Sequence, residues 1–412
     1  MAMPRAPIFP AAMLLATAAL LSTAGQAQTT AWEFTSIADS SAELAAFSVP
    51  AINDSGQIAF VATFDDAAEG QVVYRQETNG SLTIIADTSG PIASFSGDPA
   101  MNASGLVTFT AVMDNGSVSV LCGNGVVGAP LVTIANTDTD ALDAIDSKPF
   151  ISDTDGVVVV RAVRSADLAS VILKGAGGPP ATLLDSTGTY DPVDVAGING
   201  SGVVAFEAET LSGTVKGVYR TINGIEVEAI AVTSAGGFTD VEALDINNNG
   251  TVVFFTGTAT DVLNLAVDTT GTPVVFADTA DSPFVSFGPA SVAVSGAVAF
   301  RGIFEQGLNG IFAGGTGLYE KAIAINDPLL GSGVTALDTG PQAVTNSGPF
   351  VFRASRGNGT TGIYVGVPNT SGGGGGGGGG AFDGASAGLL LLLNCVRRRL
   401  RRAPGSGVRI GS

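Results

Sequence analysis

Aspartate is the residue type in this 412-residue chain that offers most chemistry, and several copies recur at set places. Asp98, Asp146, Asp194 and Asp240 each stand seven to ten residues before a glycine that itself recurs. That placement puts four carboxylates around one opening of a repeated structure. Such a rim suits a cation, a basic peptide or a sugar, and two carboxylates at the right separation could act as general acid and base on a glycoside. The densest acidic run, "DTDALDAIDS", holds Asp138, Asp140 and Asp143, whose alternating oxygen ligands could bind Ca²⁺. It lacks the glycine and the closing glutamate of an EF-hand loop, so a solvated loop is the simpler reading. No cofactor is expected beyond that Ca²⁺ candidate.

What is missing narrows the chemistry further. The chain has no histidine, which excludes Ser-His-Asp and Cys-His nucleophile systems and every imidazole metal ligand. Of two cysteines, Cys395 sits in an apolar tail, leaving Cys122 as the lone thiol of the body, without a disulfide framework. There is no zinc spacing, phosphate-binding glycine loop or nucleophile elbow. Setting aside Arg5 near the start and six arginines in the tail leaves 11 of the 18 basic residues, against 36 of the 37 acidic ones. A body this acidic repels nucleic acid and anionic lipid, so nucleic-acid binding is excluded.

The elements that must position the aspartates come from a repeat. "NDSGQIAF" (Asn53 to Phe60) returns as "NASGLVTF" (Asn102 to Phe109), "NGSGVVAF" (Asn199 to Phe206) and "NNNGTVVF" (Asn247 to Phe254). Aligned on its glycine, the phrase occurs at Gly56, Gly105, Gly156, Gly202, Gly250, Gly296 and Gly348, at intervals of 46 to 52 residues. Four residues after each glycine stands Phe60, Phe109, Val160, Phe206, Phe254, Phe300 or Phe352. Three before it, Asn53, Asn102, Asp153, Asn199 and Asn247 cap a turn, while units six and seven carry Ala293 and Thr345. The glycine supplies positive φ, and the strand that follows is apolar on both faces, as in sheets stacked between sheets. Further strands read as "GQVVYR" or "TGIYVG", "TIIADT" or "VVFADT", and a stretch such as "SVPAIN" before the asparagine.

Four strands in about 48 residues, seven times over, predict an all-β fold: a seven-bladed β-propeller of four-stranded blades. A β-solenoid is the runner-up, and immunoglobulin-like sandwiches would need about 100 residues each. The last unit stops at "TGIYVGVPN" without an "IADT" strand, whereas "FTSIADS" stands unpaired before the first unit. An N-terminal strand completing the last blade would close the ring and leave no open edge there.

The two ends read as addresses. Residues 1–27 have the basic start, apolar middle and small-residue site of a signal peptide, with cleavage by signal peptidase between Ala27 and Gln28. After the propeller region, 28–368, comes a glycine-rich linker, 369–380, then a short hydrophobic transmembrane segment, 381–396, and an Arg-rich cytoplasmic tail, 397–412. As a helix, residues 381–396 would reach about 24 Å, short of a ~30 Å hydrocarbon core, which suits transient membrane anchoring. The glycine, apolar, arginine order resembles the GlyGly-CTERM sorting signal of Gram-negative bacteria. That resemblance implies cleavage by a rhomboid-type sorting protease (rhombosortase) and passage through the inner membrane and periplasm to the outer surface. The tandem phrase between leader and tail resembles the bacterial choice-of-anchor tandem-repeat proteins with NxxGxxAF motifs. This second resemblance implies export and varied anchoring, and carries no established activity. The sequence thus favours a non-catalytic binding or scaffold module with a glycan, peptide or protein ligand. A carboxylate-based polysaccharide hydrolase is the alternative, disfavoured because the even intervals leave no room for a long active-site insertion.

Overall fold

The computed structural model describes residues 32–369, apart from short stretches at 223–225, 234–236, 261, 269–271, 281, 306 and 316–317. The leader with Ala27 and Gln28, the glycine linker beyond residue 369, the apolar segment with Cys395 and the arginine tail lie outside the described residues. The described chain forms seven antiparallel sheets, each of four principal strands, arranged as the blades of a β-propeller. In blade 2, for example, the strands run in order Ile92–Met101, Val107–Met113, Val118–Gly123 and Val132–Asn136. In blades 1 and 3 the inner strand is split in two.

Each repeated phrase is the turn between the inner strand and the second strand of its blade. The seven glycines all have left-handed φ, between 69° and 100°, where a side chain would be strained. Phe60, Phe109, Val160, Phe206, Phe254, Phe300 and Phe352 are all buried, and so are the residues between them and the turn. Both faces of every second strand are covered because neighbouring blades pack on it. In all seven blades the register slips once between third and outer strand, and it slips once or twice between inner and second strand. Bulges of this kind increase the twist that fans the blades around an axis.

The "ADT" phrase also has a job. Its third residue turns the hydroxyl back to accept the first amide of the preceding strand: Thr88 from Gln71, Thr137 from Val118, Ser186 from Ser170, Thr233 from Lys216 and Thr279 from Leu263. Blade 7 obtains the same bond from the other end of the chain, where Ser40 accepts the Thr361 amide at 2.9 Å. The strand Trp32–Asp39 pairs antiparallel with Thr361–Pro368 along its length. Trp32 packs edge-on against Phe350 and Phe34 against Phe352, while Arg356 reaches Asp39 at 3.4 Å. The N-terminal strand therefore completes the last blade and closes the ring.

Unit three departs from the alignment read in sequence. The Ser152 amide, not that of Asp153, bonds to Val157, so this turn is one residue longer. Asp153 is displaced outward and accepts from the Asn248 side chain at 2.6 Å.

Candidate functional site

The seven inner strands surround a channel with two unlike mouths. At the narrow mouth lie the turns of the repeated phrase. Asn199 accepts the Ser201 and Val203 amides through Oδ1, while its Nδ2 donates 3.2 Å to the Asn247 carbonyl of the next blade. Asn247 repeats this, accepting from Asn249 and Thr251 and donating 2.8 Å to Ala293. Asn53 reaches the Asn102 carbonyl in the same way. The asparagine is thus a turn cap and a blade-to-blade clasp in one side chain. A second tier follows one or two residues later: the Gly200 amide donates to Asn248, the Ser295 amide to Asn346, and the Asn346 amide to Asp54. About 70 Å³ of space remains there, and the polar groups around it are tied to one another.

Across the middle runs the segment Gly340-Pro341-Gln342 of blade 7. The Gln342 carbonyl accepts from Ile52 of blade 1, and its Oε1 accepts from Met101 of blade 2. Its amide joins those of Ile246 and Val292 and the Ser291 hydroxyl around the fully buried Asp245 of blade 5. Burial pushes this carboxyl up to about 7, although its four donors pull the other way.

The wide mouth encloses about 440 Å³ and takes side chains from all seven blades. Of the four aspartates expected at a rim, Asp98, Asp146 and Asp194 line it. Asp240 does not: it points aside, is largely exposed and pairs with Lys216 at 3.0 Å. Glu242, two residues on along the same strand face, stands opposite Phe255 as Asp194 stands opposite Glu207, and it lines the mouth instead; blade 7 adds Asp338. One oxygen of Asp98 accepts the Val49 amide at 2.9 Å, and one of Asp194 accepts the Val195 amide at 2.8 Å. The mouth is concave, so protein crowds both carboxyls even where they meet solvent, and this desolvation raises their pKa above the usual value.

Counter-charges missed in the sequence stand among these acids. Arg161 lies 3.7 Å from Asp146, and Asp338 is held between Arg301 at 3.2 Å and Arg353 at 3.3 Å. The exposed Lys148 also lines the cavity. The signal for the arginines was available: each follows the last residue of the repeated phrase. That position alternates onto the opposite face from the buried phenylalanine and reaches the inner strand of the next blade. Thr110 donates to the Asp146 carbonyl, Arg161 to that of Val193, and Arg353 to that of Phe47. In blade 5 the same position is Phe255, stacked on Phe287 of blade 6 with ring centres 5.9 Å apart. Together with Leu244 they make the apolar wall of the mouth.

The suggested Ca²⁺ run lies apart from both mouths. Asp140 accepts the Asn136 amide at 2.7 Å and so shapes its own turn, while Asp138 accepts from the Asn115 side chain and ties that turn to the neighbouring one. Among the described residues no three acidic or cysteine side chains gather as a metal would require. Cys122 is buried in the core, and desolvation pushes its thiol up to about 11.

Fold and site together define a closed seven-bladed β-propeller with a charged, open channel mouth. The model of a family of unknown function (DUF7453) matches residues 16–137, and no curated protein matches. Among solved structures, the β-propeller domain of the Trilobed protease from Pyrococcus furiosus aligns with TM-score 0.55 at 10% identity, covering 78% of this chain and 95% of that one. That domain is described as having an open velcro topology, whereas here the N-terminal strand closes the ring. Pyrococcus horikoshii acylaminoacyl peptidase aligns with TM-score 0.52 at 10% identity over 78% of this chain. The chain spans about half (51%) of that enzyme's length. These likenesses are of fold alone.

Proposed function

We propose that the chain is an exported, non-catalytic binding module delivered to the cell surface, with its ligand site at the wide channel mouth. The observation that carries this is the contrast in hydrogen bonding between the mouths. At the narrow end most polar side chains are bonded within their own turn or to a neighbouring blade. At the wide end one oxygen each of Asp98 and Asp194 makes no hydrogen bond among the described residues, and both line an open 440 Å³ space. A cavity of this size with a few fixed polar groups is how small-ligand sites are built. Export and sorting rest on the leader and on the glycine-arginine tail. A mature C-terminus beyond Arg397, found by mass spectrometry, would sink the sorting step.

The test is a glycan and peptide array probed with the mature exported protein and with the Asp98→Asn/Asp194→Asn double variant. Binding by the parent and its loss in a variant with an unchanged melting curve is the expected result. Equal binding by both moves the site elsewhere. A carboxylate hydrolase is the second reading because the desolvated Asp98 and Asp194 and the ion-paired Asp146 line one mouth, and glycoside cleavage uses a protonated and an ionised carboxyl together. Turnover of any arrayed glycan would replace the binding reading with that one.

A further inference from the structure

We propose that the wide mouth is a site for a neutral saccharide, held by hydroxyl hydrogen bonds on one side and by aromatic stacking on the other. This rests on the mouth being the binding site, and three features of its lining select the ligand class.

The first is charge. Five carboxylates line the cavity, Asp98, Asp146, Asp194, Glu242 and Asp338, a rim that on its own would suit a cation. Arg161, Arg301 and Arg353 are paired into that rim, however, and Lys148 stands within electrostatic reach of both Asp98 and Asp194. Beside Asp194 and Glu242, Glu207 and Asp240 share Lys216, so seven carboxylates stand against five cationic groups and most of the rim's charge is met within the protein. A basic peptide entering towards Asp98 and Asp194 meets Lys148, and an acidic one meets the aspartates themselves. A hydroxyl both donates and accepts, so a polyol can use carboxylates and cationic groups side by side.

The second is pre-organisation. The Val49 and Val195 amides each fix one oxygen of an aspartate and leave the other without a hydrogen bond among the described residues. Ion pairs likewise fix Asp338 between its two arginines. Acceptors and donors held in place lose little entropy when a ligand arrives, which matters for sugars because their hydroxyls are well solvated beforehand.

The third is the apolar wall. Phe255 is half-buried and its ring lies only 24° from parallel to Phe287, with Leu244 beside them. Blades 5 and 6 therefore put apolar surface into the lining, with the half-buried Phe255 ring backed by the buried Phe287, while blades 2 to 4 supply Asp98, Asp146 and Asp194. The C–H face of a pyranose fits such a surface, while its equatorial hydroxyls point towards the carboxylates.

The experiment is calorimetric titration of the mature exported protein with neutral oligosaccharides, with uronic-acid and amino-sugar oligosaccharides, and with basic and acidic peptides, each at low and high NaCl. Neutral oligosaccharides should bind with less than about a twofold change between the two salts, since no ion pair with the ligand is there to be screened. Phe255→Leu keeps the apolar volume but removes the ring, and should weaken that binding about tenfold, as should Asp194→Asn. Both variants are checked for unchanged melting, and Asp194→Asn at the open rim keeps the test alive if Phe255→Leu fails to fold. Binding confined to charged oligosaccharides or peptides, suppressed by salt and lost in Asp194→Asn, overturns the saccharide assignment while leaving the mouth as the site. Neutral-sugar binding untouched by either variant overturns both.

Discussion

The two ends of one channel are made from the same seven strand pairs and end up chemically opposite. At the narrow mouth the repeated phrase supplies an asparagine whose amide is spent twice, on its own turn and on the next blade. At the wide mouth the position after the phrase holds valine, threonine, arginine, glutamate or phenylalanine, depending on the blade. The regular end therefore joins the ring, and the irregular end gives it a surface. In a propeller these jobs separate cleanly because inner strands run the length of the channel, so one end of each can be fixed while the other varies.

That division presupposes a closed ring, and the largest effect should come from opening it. Removing Trp32–Asp39 deletes the outer strand of blade 7, exposes Phe350 and Phe352, and breaks the Arg356–Asp39 contact. Loss of the buried Trp32 alone is worth about 3–5 kcal/mol. The melting temperature of the truncated protein should fall by about 10 °C or more, followed by circular dichroism. An unchanged value would mean that the ring does not depend on its closure, and the contrast between its ends would lose its basis.

A smaller effect should follow from cutting one clasp. Asn247→Ala strands the Thr251 and Asn249 amides and the Ala293 carbonyl near a buried turn, at a cost of about 2–3 kcal/mol. Blades 6 and 7 have Ala293 and Thr345 at the equivalent place, so the ring tolerates single missing clasps and the variant should still fold. Its melting temperature should drop while ligand binding at the wide mouth stays at the parent level. If binding falls in step with stability, the two ends are coupled and the division of labour is wrong.

These outcomes also mark what the sequence made legible. The blade count, the turn glycines, the buried phenylalanines and the closing strand were readable because each rests on local rules repeated seven times. The clasp was not, because an Asn side chain bonding a carbonyl 46 to 49 residues away obeys no local rule. The rim was half legible. Asp98, Asp146 and Asp194 line the mouth, but bulges change how many residues separate the rim from the glycine, so the place that Asp194 takes in blade 4 falls in blade 5 to Glu242, two residues beyond Asp240. The arginines that pair with the rim lie on the second strand after the phrase, and only the folded ring brings them to acids of the inner strands.

The finest test of the contrast lies between the mouths, at Asp245. Its carboxyl is raised from 3.8 to about 7, chiefly by burial. The folded chain therefore holds a proton that the unfolded chain releases between about pH 4 and pH 7. The stabilisation from this group is complete below that window, declines as pH rises through it, and stays lost above pH 7. Asp245→Asn cannot titrate, but its single acceptor oxygen serves fewer of the donors from Ile246, Val292, Ser291 and Gln342. The variant should thus melt below the parent at pH 5, and the gap should narrow or reverse at pH 8. Parallel melting curves at the two pH values would show that Asp245 is ionised throughout and held by its four donors. The channel's centre would then belong with the hydrogen-bonded narrow end, and only the outer rim with the wide one.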